Sequence, residues 1–302
     1  EYSLLEAVSD SREEQLQMDL QELLNAGLIY IQRKTDGDSY LFKHALVRDV
    51  AYESMLPQAR INGHAKIAAL LEQIADPDKV TQLAHHFFYA EKHKQSITYG
   101  LAATHKLLGE AAYKEAHDII NQAQQSILHL QESDKDNLEI DVLNAYMAVL
   151  IHRFGYGSEQ LKNTVARASE VIDRGLVSLE RQFVTYWGFF AKTLIEPDLP
   201  QSSHYAAQLM DMSSANLSDE QKMVAYSAIC RVETCRGDFE ASQVAAQKCE
   251  ALNNTAPDRQ ILARYGDHPL VVSRAFSAIA LMLHGKVDSA IAVSYTHLTL
   301  PT

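Results

Sequence analysis

From residue 44 onward, apolar side chains recur at helical spacing in one segment after another, and this pattern constrains the fold more than any other feature. Two of the stripes are Val80, Leu83, Ala84 and Phe87, and Leu143, Met147, Leu150 and Ile151. With only 12 Gly and 7 Pro among 302 residues, few residues interrupt such helices. A helix with one apolar face must bury that face against a neighbour. We therefore expect a mainly α-helical chain whose helices stack in pairs, as in a solenoid.

The stripes, together with capping residues, predict where the helices lie. Asp76 and Pro77 mark one helix start, with Asp as the cap and Pro at the first position. Ser218 and Gln221 form a capping box at another. The helices predicted in this part of the chain are 44–56, 58–75, 78–90, 93–109, 113–131, 137–153, 158–174, 177–195, 201–213, 219–235, 239–252 and 270–284.

Three segments share one internal pattern: AAYKEAHDIINQA, RGDFEASQVAAQK and HGKVDSAIAV. Each has a turn, then a bulky residue, then a small residue three positions later that allows two helices to approach closely. The bulky residues are Tyr113, Phe239 and Val287. The small ones are Ala116, then Ser242 or (with a one-residue slip) Ala241, then Ala290. The pattern resembles the junction between the two helices of a tetratricopeptide repeat, so residues 57–292 are expected to form tetratricopeptide-like helical repeats.

The first part of the chain follows a different order. Residues 11–26 predict a helix, because Ser11 and Glu14 fit a capping box and Gly27 supplies a stop. The stretches LIYIQRK and SYLFKHA then flank TDGD, which predicts a β-hairpin with an Asp-Gly turn. Residues 2–5 already read as part of an earlier helix. Helix, helix and hairpin is the order of a winged helix. Residues 1–56 are therefore expected to form a small winged-helix-like module.

Charge argues against DNA as the partner of this module. The predicted helix 11–26 sets one cation, Arg12, against the carboxylates Glu13, Glu14, Asp19 and Glu22. A recognition helix needs cations that face phosphates and base edges. The whole chain has a formal net charge of −12, which disfavours broad binding to nucleic acid or to anionic membranes. We expect a packing module with neither a nucleic acid nor a membrane as partner.

Cysteine content and motifs restrict the chemistry. Cys230, Cys235 and Cys249 are an odd number close together, which is not a disulfide framework. We expect buried, reduced thiols in a cytoplasmic protein. His85 and His86 point in different directions on a helix and are weak as a metal pair. No signal peptide, apolar run of membrane-spanning length, phosphate-binding loop or nucleophile motif occurs in the sequence. We predict no catalytic residue and no metal-binding residue in this chain.

The end of the chain looks artificial. Residues 293–302, VSYTHLTLPT, resemble the translation of a transposon-type sequencing adaptor. The alternative is a natural β-type tail. We expect residues 293–302 to be an adaptor-derived, disordered artefact, and residues 1–292 to be an internal piece of a longer protein.

A family resemblance is carried by LLNAGLIYIQRK and YLFKHALVRDVAYESML, residues 23–34 and 40–56. They resemble the winged-helix end of STAND-class AAA-type signal-transduction ATPases. The resemblance is closest to large bacterial proteins that join a class III adenylate/guanylate cyclase domain, an ATPase module and a tetratricopeptide-like region. The matching positions are Phe42, His44, Leu46, Val47, Ala51, Tyr52 and Leu56. Residues 265–292 resemble the repeat region of the same proteins.

His44 carries the sharpest expectation from this resemblance. It is similar to the histidine of the Met-His-Asp motif in nucleotide-binding apoptotic and plant-immunity switches, where that histidine contacts the β-phosphate of ADP. Ala45 stands where that motif has Asp. The resemblance implies nucleotide sensing by His44; the alternatives are a structural role, at the helix start or in packing, and catalysis. For Arg48, Arg60 and His64 the choice is between an interdomain surface and plain solvation.

The sequence therefore predicts a non-catalytic regulatory and protein-interaction fragment of a bacterial ATP-binding signalling protein. The resemblance implies an upstream ATPase module that binds ATP or ADP with magnesium, a parent with adenylate/guanylate cyclase activity, and a protein or small-molecule input on the repeats. The alternatives are a fragment of a STAND transcriptional activator and a stand-alone repeat scaffold. The aromatic cluster Tyr186, Trp187, Phe189 and Phe190 is expected in the core, with a ligand groove as the other possibility.

Overall fold

The computed structural model describes residues 2–9, 11–34, 37–213, 218–252, 261 and 264–298. Most of them are helical, and one antiparallel hairpin of two strands lies near the start of the chain. Contacts divide the chain into two compact units, residues 1–100 and 101–302. This division reports compactness, whereas the boundary expected after residue 56 separates two types of fold. That boundary stays a prediction.

The first unit begins with the order expected from the sequence: α1 (Tyr2–Val8), α2 (Glu13–Asn25), β1 (Ile29–Lys34), β2 (Gly37–Phe42) and α3 (Ala45–Ser54). The strands pair from Ile29 with Phe42 to Lys34 with Gly37. Gly37 and Asp38 thus belong to the second strand, whereas we expected them in the turn. Thr35 and Asp36, the rest of the predicted turn, lie outside the described residues.

The cap predicted for α2 is wrong. The helix starts at Glu13 and its N-cap residue is Arg12, whose side chain makes no capping hydrogen bond. The backbone N–H of Ser11 instead bonds the Ser9 hydroxyl, so Ser11 belongs to a local turn before the helix. The predicted stop is confirmed, because Gly27 has a φ of 67° at the end of α2. The N–H of Gly27 donates to the Leu24 oxygen, and that of Leu28 donates to the Leu23 oxygen.

The rest of the first unit is helical. It contains α4 (Pro57–Ile74), a 3₁₀ turn (Pro77–Lys79), α5 (Val80–Tyr89) and the start of α6 (His93–Gly109). Asp76 caps the 3₁₀ turn as predicted, since its carboxylate accepts from the N–H of Asp78 at 2.9 Å. The core of this unit joins α4 and α5 through Ala68, Leu71, Leu83 and Phe87, with Leu4 of α1 against them.

The second unit is a succession of helices. They are α7 (Tyr113–Ile127), α8 (Glu132–Phe154), α9 (Glu159–Asp173), α10 (Leu179–Ile195), α11 (Leu199–Ser213), α12 (Asp219–Arg236), α13 (Phe239–Ala251), α14 (Pro269–Leu283) and α15 (Val287–Leu298). Successive helices pack together, and α8, α10, α12 and α14 also each pack against the next member of this set. Contacts of this kind are typical of stacked helical hairpins. The capping box of Ser218 with Gln221 is present at the start of α12.

The predicted junctions all adopt one geometry. At each, a residue of positive φ follows the first helix, and two backbone bonds return to carbonyls three and five residues earlier. The second helix begins two residues later, at Tyr113, Phe239 or Val287. The small residue three positions on is buried: Ala116, Ser242 and Ala290 are 0%, 0% and 7% exposed. Ser242, not Ala241, therefore occupies the close-approach position.

The same turn occurs once more, where the sequence pattern did not reveal it. Glu91 has a φ of 55°, and its N–H and that of Lys92 bond back to Phe88 and Phe87. The next helix begins at His93, and Ser96 is buried at the close-approach position. A related junction leads into α11, with Ser202 fully buried. Both place serine at the small position, as the predicted junction at Ser242 does.

The predicted aromatic core is confirmed. Trp187, Phe189 and Phe190 are buried in α10, and Tyr186 packs beside them half-buried. Of the cysteines, Cys230 and Cys249 are buried free thiols as expected, and burial raises the pKa of Cys249 to about 12. The expectation for Cys235 was wrong, since it is exposed at the end of α12, on the face away from the core.

The last helix extends into the segment expected to be disordered. α15 continues from Val287 to Leu298, so the backbone is helical where we expected no order. Once a helix has formed, each further residue adds one backbone hydrogen bond, so an apolar segment that directly follows a helix can continue it. The origin of residues 293–302 stays a prediction. Among the described residues, no helix is both long and apolar enough to cross a membrane.

Candidate functional site

The second unit contains a polar cavity of about 290 Å³. Its walls come from α6, α8, α10 and α12, together with Arg264 and Tyr265 just before α14. These helices alternate with α7, α9 and α11 along the chain, so one member of each successive hairpin lines the cavity. The lining side chains are Leu101, His105, Asp141, Asn144, Ala145, Glu180, Arg181, Val184, Gln221, Arg264 and Tyr265.

One wall is an ion pair between α8 and α10. The Nε of Arg181 donates to both oxygens of Asp141, at 2.8 and 3.0 Å. Both side chains keep contact with solvent, being 38% and 27% exposed. Loss of hydration raises the pKa of Asp141, while the Arg181 guanidinium opposes that rise. The carboxylate is therefore held in place by a cation that also faces the cavity.

Asn144 fixes the same two helices against each other. Its amide donates to the backbone oxygen of Arg181 at 3.3 Å, and the Thr185 hydroxyl donates to its Oδ1 at 2.9 Å. Thr185 is fully buried. Because these bonds use side chains one turn apart on each helix, the wall behind the Arg181–Asp141 pair is preorganised rather than mobile.

Arg264, another residue of the lining, belongs to a second ion pair, whose carboxylate lies outside the lining. The Nη1 of Arg264 donates to the Glu220 carboxylate at 2.8 Å, at the start of α12. Burial raises the pKa of Tyr265, and the Glu220 charge adds to the effect, so the phenol stays a neutral donor. Loss of hydration, then the Arg264 charge, lowers the pKa of His105 although that residue keeps an exposed face. The imidazole is therefore neutral at pH 7.

This arrangement is suited to binding. Two guanidinium groups, each hydrogen-bonded to a carboxylate, line a space sized for a small polar molecule. Each guanidinium has five donors in a planar fork, and the pairs with Asp141 and Glu220 leave the fork at the cavity surface. A ligand with an anionic group would exchange with these carboxylates for the same cations. The indole of Trp187 lies behind this wall, donating to the Tyr265 backbone oxygen at 2.7 Å.

Sequence reasoning missed the cavity. Asp141 and Arg181 are 40 residues apart, and Glu220 and Arg264 are 44 apart, so no local motif joins them. The signal that was present lies within α8. Asp141, Asn144 and Ala145 follow helical spacing on a face different from the apolar stripe of that helix.

His44, the predicted nucleotide sensor, lies between the second strand and α3. Its backbone is extended, it is the N-cap residue of α3, and its side chain makes no capping bond. The residue is exposed. The predicted helix start is thus present, but the imidazole does not stabilise it by capping. The nucleotide role stays a prediction.

A histidine cluster lies nearby in the same unit. The Nδ1 atoms of His64 and His86 are 2.8 Å apart, and His64 Nε2 is 3.0 Å from the hydroxyl of Tyr52. The Arg60 guanidinium lies 5.3 Å from the centre of the Tyr52 ring. Arg60 and His64 thus pack against α3 and α5, where we had considered solvation. Arg48 is exposed and pairs with Asp49.

Within the described ranges, no group of three or more His, Cys, Asp or Glu side chains is arranged to hold a metal ion. No known protein family, no curated protein and no solved structure matches the chain. The resemblance of residues 40–56 to STAND ATPases therefore enters the functional argument as a proposal.

Proposed function

We propose that the chain is a regulatory and interaction segment of a cytoplasmic bacterial signalling protein of the STAND ATPase class, of the kind fused to an adenylate/guanylate cyclase. In this proposal residues 1–56 are the winged-helix-like end of the ATPase module. The helices from residue 57 to 292 are tetratricopeptide-like repeats that receive a protein or small-molecule input. ATP or ADP with magnesium would be bound by the preceding module of the parent protein.

The observation that carries the proposal is the exposed apolar surface around His44. Helix α3 has no buried residue, although its sequence has the apolar spacing of a packed helix. Leu46, Val50 and Leu56 are 74%, 58% and 75% exposed, and Phe42 at the end of β2 is 42% exposed. Full burial of each such side chain contributes a favourable free energy of about 1.5–3 kcal/mol. Exposed apolar side chains grouped between residues 42 and 56 are typical of an interaction site, which supports docking on another module.

The position of His44 supports a sensing role within that surface. It precedes α3 directly and lies between Phe42 and Leu46, two members of the exposed set. A module that covered this surface would bring its own atoms to the imidazole. An imidazole N–H can donate to a phosphate oxygen, and the contact is lost when the modules separate.

The test uses the chain joined to its ATPase module as the complete gene encodes it. We expect His44→Ala to weaken ADP retention by about 10- to 100-fold, the effect of one hydrogen bond to a charged group, and to raise basal signalling. Glu53→Ala, an exposed change in the same helix, is the control and should leave both unchanged. An unaltered ADP affinity in His44→Ala would remove the sensor role. A gene with no ATPase module would overturn the proposal itself.

The input site is testable in the chain alone. Tyr265 lines the cavity and contacts Trp187, the single tryptophan. We expect a small zwitterionic or anionic input to change the fluorescence of Trp187 in a saturable way, and Arg181→Ala to weaken its binding at least 10-fold. Arg174→Ala, in an ion pair outside the cavity, is the matched control. If Arg181→Ala and Arg174→Ala have equal effects, the cavity is not the input site.

A further inference from the structure

The last helical hairpin carries an apolar groove on the side away from the preceding hairpin. The groove has a volume of about 560 Å³. Its lining includes Ala275, Ala278, Ile279 and Met282 of α14, and Ala290 and Ile291 of α15. Ile279, Met282 and Ile291 are between 42% and 57% exposed. The preceding hairpin of the same chain indicates what covers such a surface.

The sequences of the hairpins α12–α13 and α14–α15 align with a constant offset in residue number. Gly237 and Gly285 occupy the same turn position with φ of 84° and 80°, and they are 48 residues apart. Phe239 and Val287, the first residues of α13 and α15, are also 48 apart. By this offset the groove residues Ala275, Ala278 and Ile291 are equivalent to Ser227, Cys230 and Gln243.

Those three equivalent residues hold α14 in place. The Ser227 hydroxyl donates to the Pro269 backbone oxygen at 3.0 Å. The Cys230 thiol donates to the Ser273 backbone oxygen at 3.5 Å. Gln243 Nε2 donates to the Ser277 backbone oxygen at 2.9 Å. From Ser227 to Cys230 the contacts move forward along α14 from 269 to 273. Helix α14 therefore lies parallel to α12, with every fourth residue against the α12–α13 surface.

We propose that the groove on α14 and α15 binds an amphipathic α-helix that lies parallel to α14 and presents small or apolar residues at every fourth position. The donors of the preceding hairpin are absent at the equivalent places, since Ser227, Cys230 and Gln243 are replaced by Ala275, Ala278 and Ile291. Recognition in the groove therefore rests on apolar contact with an uncharged helix face rather than on hydrogen bonds to helix carbonyls.

The probe is a synthetic peptide with the sequence of residues 267–284, which contains α14, the helix seen on the equivalent surface. In the peptide, Ser273→Cys carries a thionitrobenzoate mixed disulfide, whose release by thiol exchange is read as absorbance. The full chain carries Cys235→Ser, which removes the exposed thiol, and Ala278→Cys. The matched control replaces Ala278→Cys with Leu283→Cys, which lies in the same helix outside the lining and is 60% exposed.

We expect the Ala278→Cys chain to react at least 10-fold faster than the Leu283→Cys chain, with a rate that saturates as the peptide concentration rises. Adding Met282→Glu to the Ala278→Cys chain should return the rate to that of the control. Equal rates for Ala278→Cys and Leu283→Cys would overturn the proposal. So would a dimer of the unaltered chain that Met282→Glu dissociates, because the groove would then bind a second copy rather than a separate helix.

Discussion

Asp267→Ala removes the partner of Arg231, which is the most buried charged residue among the described residues of the second unit. The Arg231 side chain is 5% exposed, and its Nη2 donates to Asp267 Oδ1 at 2.9 Å. Its guanidinium carbon lies 4.8 Å from the centre of the Trp187 ring, and its Nε has no hydrogen-bond partner among the described residues. Removing Asp267 leaves this cation with the Trp187 ring and a 3.4 Å contact to the Ser227 hydroxyl.

The magnitude follows from which partner stays buried. Breaking a buried pair so that a charge is left uncompensated costs about 3–5 kcal/mol. Because Asp267 is 21% exposed and water reaches it, we take the lower limit, about 3 kcal/mol. Arg231→Met costs less, about 1–2 kcal/mol, since it removes the cation–π contact and leaves a carboxylate that water can hydrate. The double variant should be no less stable than Arg231→Met alone.

The assay is urea unfolding followed by the fluorescence of the single tryptophan, which reports the region around Arg231 itself. Arg236→Met is the control in the same helix, because Arg236 is 54% exposed and its pair with Glu233 contributes at most about 0.5 kcal/mol. The reasoning fails if Asp267→Ala costs no more than Arg236→Met, or if the double variant loses the sum of the two single losses.

Three further predictions concern the repeat turn, the histidine cluster and a helix contact. Ser242→Leu should destabilise the second unit by about 1–3 kcal/mol through overpacking, whereas Ala241→Leu should cost under about 0.5 kcal/mol; urea midpoints compare them. Burial, with His64 and His85 adding, lowers the pKa of His86 to about 4. Protonation thus favours the unfolded state, so the first unit should lose stability as pH falls from about 6.5 to 4. His86→Gln should make this loss smaller, as measured by the pH dependence of amide hydrogen exchange in α5. Gly188→Ala places a methyl 3.1 Å from the flexible Met147 side chain, so helix propensity of about 1 kcal/mol should offset the strain and leave the urea midpoint nearly unchanged; a large loss would show that Met147 cannot move.

Local sequence signals predicted the secondary structure well, for a physical reason. Helix stripes, caps and turns involve residues within a few positions of each other, so periodicity and capping chemistry locate them. Helix α12 illustrates this, since the predicted capping box at Ser218 and Gln221 is present and the helix ends at Arg236, one residue from the predicted end. At the three predicted junctions the small residue was also predicted, apart from the choice between Ser242 and Ala241, which depends on the phase of a packed helix. The junctions at Ser96 and Ser202 were not predicted.

The candidate sites could not be predicted in the same way. The ion pair of Asp141 with Arg181 and the contact of His64 with His86 join residues 40 and 22 positions apart. Their partners follow from how helices cross, which depends on the packing of whole faces. The capping box expected at Ser11 failed for a related reason. A two-residue pattern on a short turn competes with other local hydrogen bonds, here that from Ser11 to Ser9.

Helix α3 shows that apolar periodicity in the sequence does not by itself establish burial within the chain. Its apolar residues recur at helical spacing, yet none of its residues is buried, whereas α12 has ten buried residues without so marked an apolar face. An apolar stripe records that a face was selected for burial; it does not say which partner buries it. The same argument applies to the groove beside Ile279, where the equivalent surface of the preceding hairpin is covered by a helix. If Leu46→Glu or Ile279→Glu left the chain folded with unchanged urea midpoints, that would be the expected result for a face that packs only against a partner. A loss of more than about 2 kcal/mol would mean that the face is already packed within the chain, and both docking proposals would lose their basis.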